Sequence, residues 1–214
     1  MVLLVYMLFR MLLSDNTMNM KIKELNASSL YVSEWVCVKE DNGIALHERW
    51  VKVNESLSVR ERKGIMVVDG SMDEVISFLS NPKTVKLWMK GIKEVRLVVH
   101  KDEELLYIVI NLPWPFSDRD LVAKYSVTQT GPDNCVIRMS SDTYNDIEKK
   151  NTVRIKNYDA TWKLTKLDEG KVQIQFQVFS AEPPLFPQWV QEPVLKKVFY
   201  QNLLRLKDQF KKGS

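Results

Sequence analysis

From Lys171 to Ser180, Val172, Ile174, Phe176 and Val178 alternate with Lys171, Gln173, Gln175 and Gln177. A period of two over ten residues is satisfied by a strand with one dry face and one wet face, and not by a helix. Tyr158, Ala160, Trp162 and Leu164 repeat the pattern just upstream, and Asp168-Glu169-Gly170 between the two runs predicts a tight hairpin. The segment that follows, from near Pro187, has the other period. Leu195, Phe199, Leu203, Leu206 and Phe210 recur at spacings of four, four, three and four, and Val194 and Val198 widen the stripe. About two dozen such residues make a helix ~35 Å long. A helix of that length, apolar along one side, needs a concave partner. A strongly curved antiparallel sheet of about eight or nine strands is the surface available, so the predicted class is α+β, a curved sheet gripping one long C-terminal helix.

Upstream, the chain reads as strands with one helical interruption. Gly43 to Val53 and Leu57 to Val68, broken by Asn54-Glu55-Ser56, predict a hairpin. Ser71-Met72-Asp73-Glu74 fits a capping box, and Met72, Val75, Ile76 and Leu79 give the helix behind it one apolar face. Pro82 disfavours helical geometry at Asn81 and stops that helix. A second short helix is expected from Pro82 to Lys90, capped by Asn81 and ended by Gly91. Further strands are predicted at Lys93–His100, Glu104–Asn111, Arg119–Gln129, Asn134–Ser141 and Thr152–Leu167, with sequential pairing as the natural topology.

Composition excludes several classes. The 214 residues are 45% hydrophobic and 27% charged with seven glycines, enough to bury a core without metal or disulfides. Scattered single glycines and the lack of any G-x-S-x-G, P-loop or G-x-G-x-x-G speak against a nucleotide-dependent enzyme. Cys37, Cys135, His47 and His100 form no ligand-spaced cluster, so neither a metal nor a cofactor is expected. The net charge of +4 is spread along the chain without a basic run interleaved with aromatics, which gives no footprint for nucleic acid. Its clearest local excess lies between Pro187 and Lys212, where six bases face two acids. That helix face is either simply solvated or suited to an anionic membrane surface. The start, MVLLVYMLFRMLL, is too short to span a bilayer. It also lacks a signal peptide's basic lead and cleavage site. Residues 1–30 are expected to lie outside the core fold, as a membrane-associating or signal-like tail or a consequence of start-site choice, given Met18 and Met20. The compartment stays open, with the cytoplasm favoured.

One linking segment stands out. Leu112 to Asp120, LPWPFSDRD, carries two prolines, two large aromatics and an Arg-Asp pair between strands. By itself it reads as a rigid crossover whose aromatics cap the core. It also resembles the P-x-P-x-S-x-R-D signature of the steroidogenic-acute-regulatory-protein-related lipid transfer (START) family, particularly its phosphatidylcholine-transfer-like and bacterial members. Other stretches agree in order: Glu34-Trp35 with Asn42-Gly43-Ile44, then Trp88, then Val153 to Tyr158 leading to Trp162, then Pro187-Gln188-Trp189-Val190 before the closing helix. The resemblance spans roughly residues 31–212.

The resemblance implies a helix-grip fold of the wider SRPBCC superfamily. It implies a hydrophobic tunnel between sheet and helix holding one lipid or sterol, without catalysis, in a monomer that makes transient membrane contact. Arg119 would be the polar anchor, and Trp88, Val109, Trp114, Trp162, Phe176, Trp189, Val194 and Val198 would line the ligand. The chain departs from the family at Val109, where phosphatidylcholine-transfer-like relatives carry an acid expected near the signature arginine. Arg119 must then take its counter-charge from another acid such as Glu61 or Asp142, take it from a ligand anion, or turn to solvent. Ala181-Glu182-Pro183-Pro184 stands where many relatives have a glycine-containing turn. Two rival readings remain: a helix-grip enzyme, such as a cyclase or hydrolase of bulky apolar substrates, and a sensor whose ligand alters the closing helix.

Overall fold

The computed structural model describes residues 32–211 except 101, 113–116, 143, 145–151, 169 and 183–186. The apolar start, Trp114 and the two prolines of the LPWPF link fall outside the described residues. Among the described residues, ten strands form one sheet: β1 (Val36–Asp41), β2 (Ile44–Lys52), β3 (Ser58–Asp69), β4 (Ile92–His100), β5 (Glu103–Ile110), β6 (Asp118–Gly131), β7 (Asn134–Ser141), β8 (Thr152–Arg154), β9 (Tyr158–Leu167) and β10 (Lys171–Ser180). Between β3 and β4 lie α1 (Met72–Ser80), a 3₁₀ turn (Pro82–Thr84) and α2 (Val85–Trp88), and α3 (Gln188–Asp208) follows β10.

The helical interruption forms as its residues dictate. Ser71 Oγ accepts from the Glu74 amide at 3.3 Å while the Glu74 carboxylate accepts from the Ser71 amide at 2.7 Å, so both orphan donors are satisfied. Asn81 ends α1 and its side chain accepts from the Lys83 amide, opening a 3₁₀ turn rather than a continuous helix through Pro82 to Lys90. Gly91 closes the segment at φ 84°, a conformation that favours glycine.

The strand order is β1-β2-β3-β10-β9-β7-β6-β5-β4, and all neighbours along it are antiparallel. Pairing is therefore not sequential throughout. β3 pairs with β10, because the helical segment carries the chain away from β3 and β4 ends at the opposite edge. The run Thr152–Leu167 is also not one strand. β8 pairs parallel with β6 outside the main order, and the chain turns at residues 155–157. There the Ile155 amide donates to the Asp120 carbonyl, and the Lys156 and Asn157 amides donate to the Glu182 carboxylate at 2.7 and 2.9 Å. These bonds replace the ladder that a continuous strand would have made.

The alternation of β10 is read out directly, with Val172, Ile174 and Phe176 buried on the inner face. Phe176 stands opposite Gly64 on β3 and Trp162 on β9. Gly64 lets α3 approach, since a Cβ there would overlap the Leu203 side chain. The second half of α3 grips the sheet through Tyr200, Leu203 and Leu206, all buried. The Tyr200 hydroxyl donates to the Asp41 carbonyl at 3.1 Å, at the end of β1.

The first half of α3 behaves differently. Pro193 lies inside the helix and offers no amide to the preceding turn. Leu195 and Val194, expected on the buried stripe, are 40% and 59% exposed.

Candidate binding cavity

A cavity of about 370 Å³ lies between the inner face of the sheet and the first half of α3. Ser58, Arg60 and Arg62 of β3, Ile110 of β5, Arg119 of β6 and Val178 of β10 all contribute to its wall. β3 and β5 are separated in the sheet by β10, β9, β7 and β6, so one cavity touches both because the sheet curls. On the helix, Gln188, Glu192, Leu195, Phe199 and Asn202 line it at spacings of four, three, four and three. Val194 precedes that stripe by one position, about 100° around the helix. The volume suits a small apolar ligand or part of a larger one.

Beyond it, Trp162 stacks on Phe176 with centroids 3.7 Å apart, Phe176 stacks on Phe199 at 5.5 Å, and Trp88 meets Trp162 edge-on at 5.4 Å. Phe199 faces the large cavity, while Phe176, Trp162 and Trp88 line a second space of about 60 Å³ with Leu106, Ile108 and Tyr158. The aromatic cluster thus stands as a partition between two spaces.

The pleat of β6 decides the fate of the Arg-Asp pair. Asp120 turns to the outer face, where it is 2% exposed and accepts from Arg154 of β8 at 2.8 Å. Arg119 turns inward and lines the cavity. Burial lowers the pKa of its guanidinium, and the charge of Glu182 partly offsets that. No carboxylate among the described residues lies within ion-pair distance of Arg119. Glu61 is engaged by Arg49 and Gln177, and Asp142 by Lys124, so neither of the acids weighed from the sequence reaches it. Arg62, by contrast, is held by Glu48 at 3.0 Å and by Glu192 of α3.

The structure therefore brings together Trp88, Trp162 and Phe176 at the partition and Arg119 and Val198 at the larger cavity. It does not bring Val109 there. Val109 pairs with Asp120 and Ile110 with Arg119, so position 109 lies on the outer face, packed with Leu105, Tyr107 and Val122. An acid at 109 would sit on the face opposite the Arg119 side chain, because adjacent strand residues point to opposite faces. Trp189 is 79% exposed and, with Val194, is absent from the cavity wall. Sequence reasoning missed Arg60 and Arg62. Their parity with Gly64, Met66 and Val68 on β3 was the available signal.

No protein-family profile matches the chain. An uncharacterised protein of Pseudomonas aeruginosa is 19% identical over 165 residues, 77% of this chain and 80% of that one. Among solved structures, the STAR-related lipid transfer protein of Xanthomonas axonopodis superposes with a TM-score of 0.71 at 22% identity, covering 84% of this chain and all of that fragment. The chain has the helix-grip fold of START domains. The human StarD13 lipid transfer and protein localization domain also shares this START fold, with a TM-score of 0.68 at 16% identity, over 85% of this chain and 91% of that one. In the START fold, strands from both arms of a curved sheet face one C-terminal helix. Here that geometry places Arg60, Arg62 and Arg119 around a single cavity.

Proposed function

We propose that the protein binds a lipid or other hydrophobic ligand between the sheet and α3 and performs no chemistry on it. The observation that carries this reading is the cavity of about 370 Å³, apolar toward the aromatic partition and cationic at Arg119. Each methylene moved from water into such a space is worth about 0.8 kcal/mol, which is the driving force for retaining an acyl chain. Trp88, Trp162, Phe176 and Val198 serve as walls and Arg119 as the polar anchor. The START-fold proteins named above carry lipid transfer in their names, which supports the same reading. Trp189 and Val194, exposed beside Lys196 and Lys197 on α3, fit transient contact with a membrane surface better than contact with the ligand.

The enzyme alternative would need a general acid and base converging on the ligand. Among the described residues that line the two spaces, those with shifted ionisation are Arg119 in the larger and Tyr125 and Tyr158 in the smaller, and burial raises both tyrosines so that they stay neutral. Native mass spectrometry of the purified full chain, with organic extraction of what it carries, tests the proposal. A stoichiometric lipid is expected. Failure to recover a lipid or to bind any amphiphile added back would overturn it.

A further inference from the structure

Three arginines, Arg60, Arg62 and Arg119, line the larger cavity against two acids, Glu182 and Glu192. Both acids are already engaged. Glu192 binds Arg62, which also holds Glu48, and Oε1 of Glu182 accepts from the Lys156 and Asn157 amides. That leaves Arg60 and Arg119 with no hydrogen bond or ion pair to any described residue. Arg60 is not simply a loose surface side chain. Its guanidinium lies 3.9 Å from the centroid of the Trp50 ring, its cross-strand partner on β2. A ring face restricts a guanidinium and neutralises none of its charge, and the in-plane N–H donors remain available for a carboxylate or phosphate.

We infer that Arg60 is a second headgroup-binding residue, which with Arg119 selects amphiphiles bearing an anion over neutral ones of the same chain length. The inference rests on the lipid-binding reading above and adds to it the charge of the ligand. Glu182 offsets the charge of Arg119 in part without pairing with it, and no acid among the described residues pairs with Arg60, so both guanidinium groups facing this partly desolvated cavity gain from an anion placed against the apolar wall. A neutral hydroxyl supplies a hydrogen bond without that relief. Trp50 acts as a positioning residue, holding the Arg60 guanidinium in place.

The test uses the full chain and four probes, palmitate, 1-palmitoyl lysophosphatidate, hexadecanol and monopalmitoylglycerol, each displacing Nile red. Wild type is expected to bind at least one of the two anions about tenfold more tightly than the neutral probes. Preference for palmitate identifies a carboxylate headgroup, and preference for lysophosphatidate a phosphate. Arg60→Gln and Arg119→Gln should each weaken the preferred anion about tenfold while moving hexadecanol less than about threefold, with Arg60→Lys in between. Trp50→Leu, which leaves both charges, should weaken the anion about threefold and serves if the arginine variants fold poorly. Equal weakening of anion and alcohol by Arg60→Gln, or no weakening of the anion, would overturn the role of Arg60 and leave lipid binding intact. Displacement by none of the four probes in wild type would overturn the lipid-binding reading itself, and this inference with it.

Discussion

Arg62 of β3 and Glu192 of α3 form an ion pair at the rim of the cavity, with Glu48 of β2 as the second partner of the same guanidinium. The pair fastens the half of α3 that lacks a buried apolar stripe. Arg62 is 7% and Glu48 4% exposed, so removing the arginine leaves a buried carboxylate with only Lys196 at 3.9 Å to offset it. Arg62→Met should lower stability by about 3 kcal/mol in urea melts. Glu192→Gln should cost less and should speed amide exchange in the first half of α3 ahead of the second. Uniform exchange along α3 in that variant would show that the ion pair does not hold the helix end.

Gly64 sits under Leu203, and the close approach of α3 depends on it. Gly64→Ala should destabilise the fold by about 1–3 kcal/mol through overlap with the leucine. Leu203→Ala in the same chain should recover part of that loss, although alone it is destabilising. Strictly additive losses in a double-mutant cycle would contradict the contact.

Phe176 and Phe199 stand between the two spaces. Phe199→Ala should join them and shift ligand preference toward longer chains, read from competition between fatty acids of increasing length. Phe176→Ala should do the same at a stability cost of about 3–5 kcal/mol, because Phe176 is 5% exposed and stacked on Trp162. An unchanged length preference in both variants would mean that ligand chains never reach the partition.

Burial raises the pKa of the Tyr158 phenol far above its ordinary value of 10.0. The folded protein keeps that proton at pH values where the unfolded chain has lost it. The folded state then binds more protons, so stability falls as pH rises above about 10, by at most ~1.4 kcal/mol per pH unit from this group. Tyr158→Phe should flatten the fall, measured by urea titrations from pH 9 to about 11. Tyr125, whose pKa burial also raises, leaves a smaller residual slope. A slope identical to wild type would remove Tyr158 as the cause.

Trp189 is 79% exposed, so Trp189→Ala should leave the melting temperature within about 2 °C of wild type. Co-sedimentation with vesicles containing phosphatidylserine should fall several-fold. Equal sedimentation of both proteins would show that this end of α3 does not touch the membrane.

Much of the fold was legible in the chain itself, for a local reason. The period of two in β10, the Ser71-Glu74 box and the stop at Pro82 depend on residues within a few positions of one another, and the structure contains all three. The cavity was legible only in part. Trp88, Trp162 and Phe176 come together at the partition, Trp162 and Phe176 from inward-facing strand positions and Trp88 from the end of α2. Val109 and Val194 do not join them. Hydrophobicity marks a buried or apolar position without saying which face of a sheet buries it, and β5 is apolar on both.

Alternation along a strand sets which residues share a face, and that much the sequence by itself determined: Arg119 opposite in sense to Asp120, and Arg60 in step with Gly64. Which of the two faces encloses the cavity was decided by tertiary structure. It follows from β3 pairing with β10 across more than a hundred intervening residues, and from α3 lying over the curl this produces. Such contacts join residues with no local signal of each other, because the free energy that selects them comes from burying whole faces together.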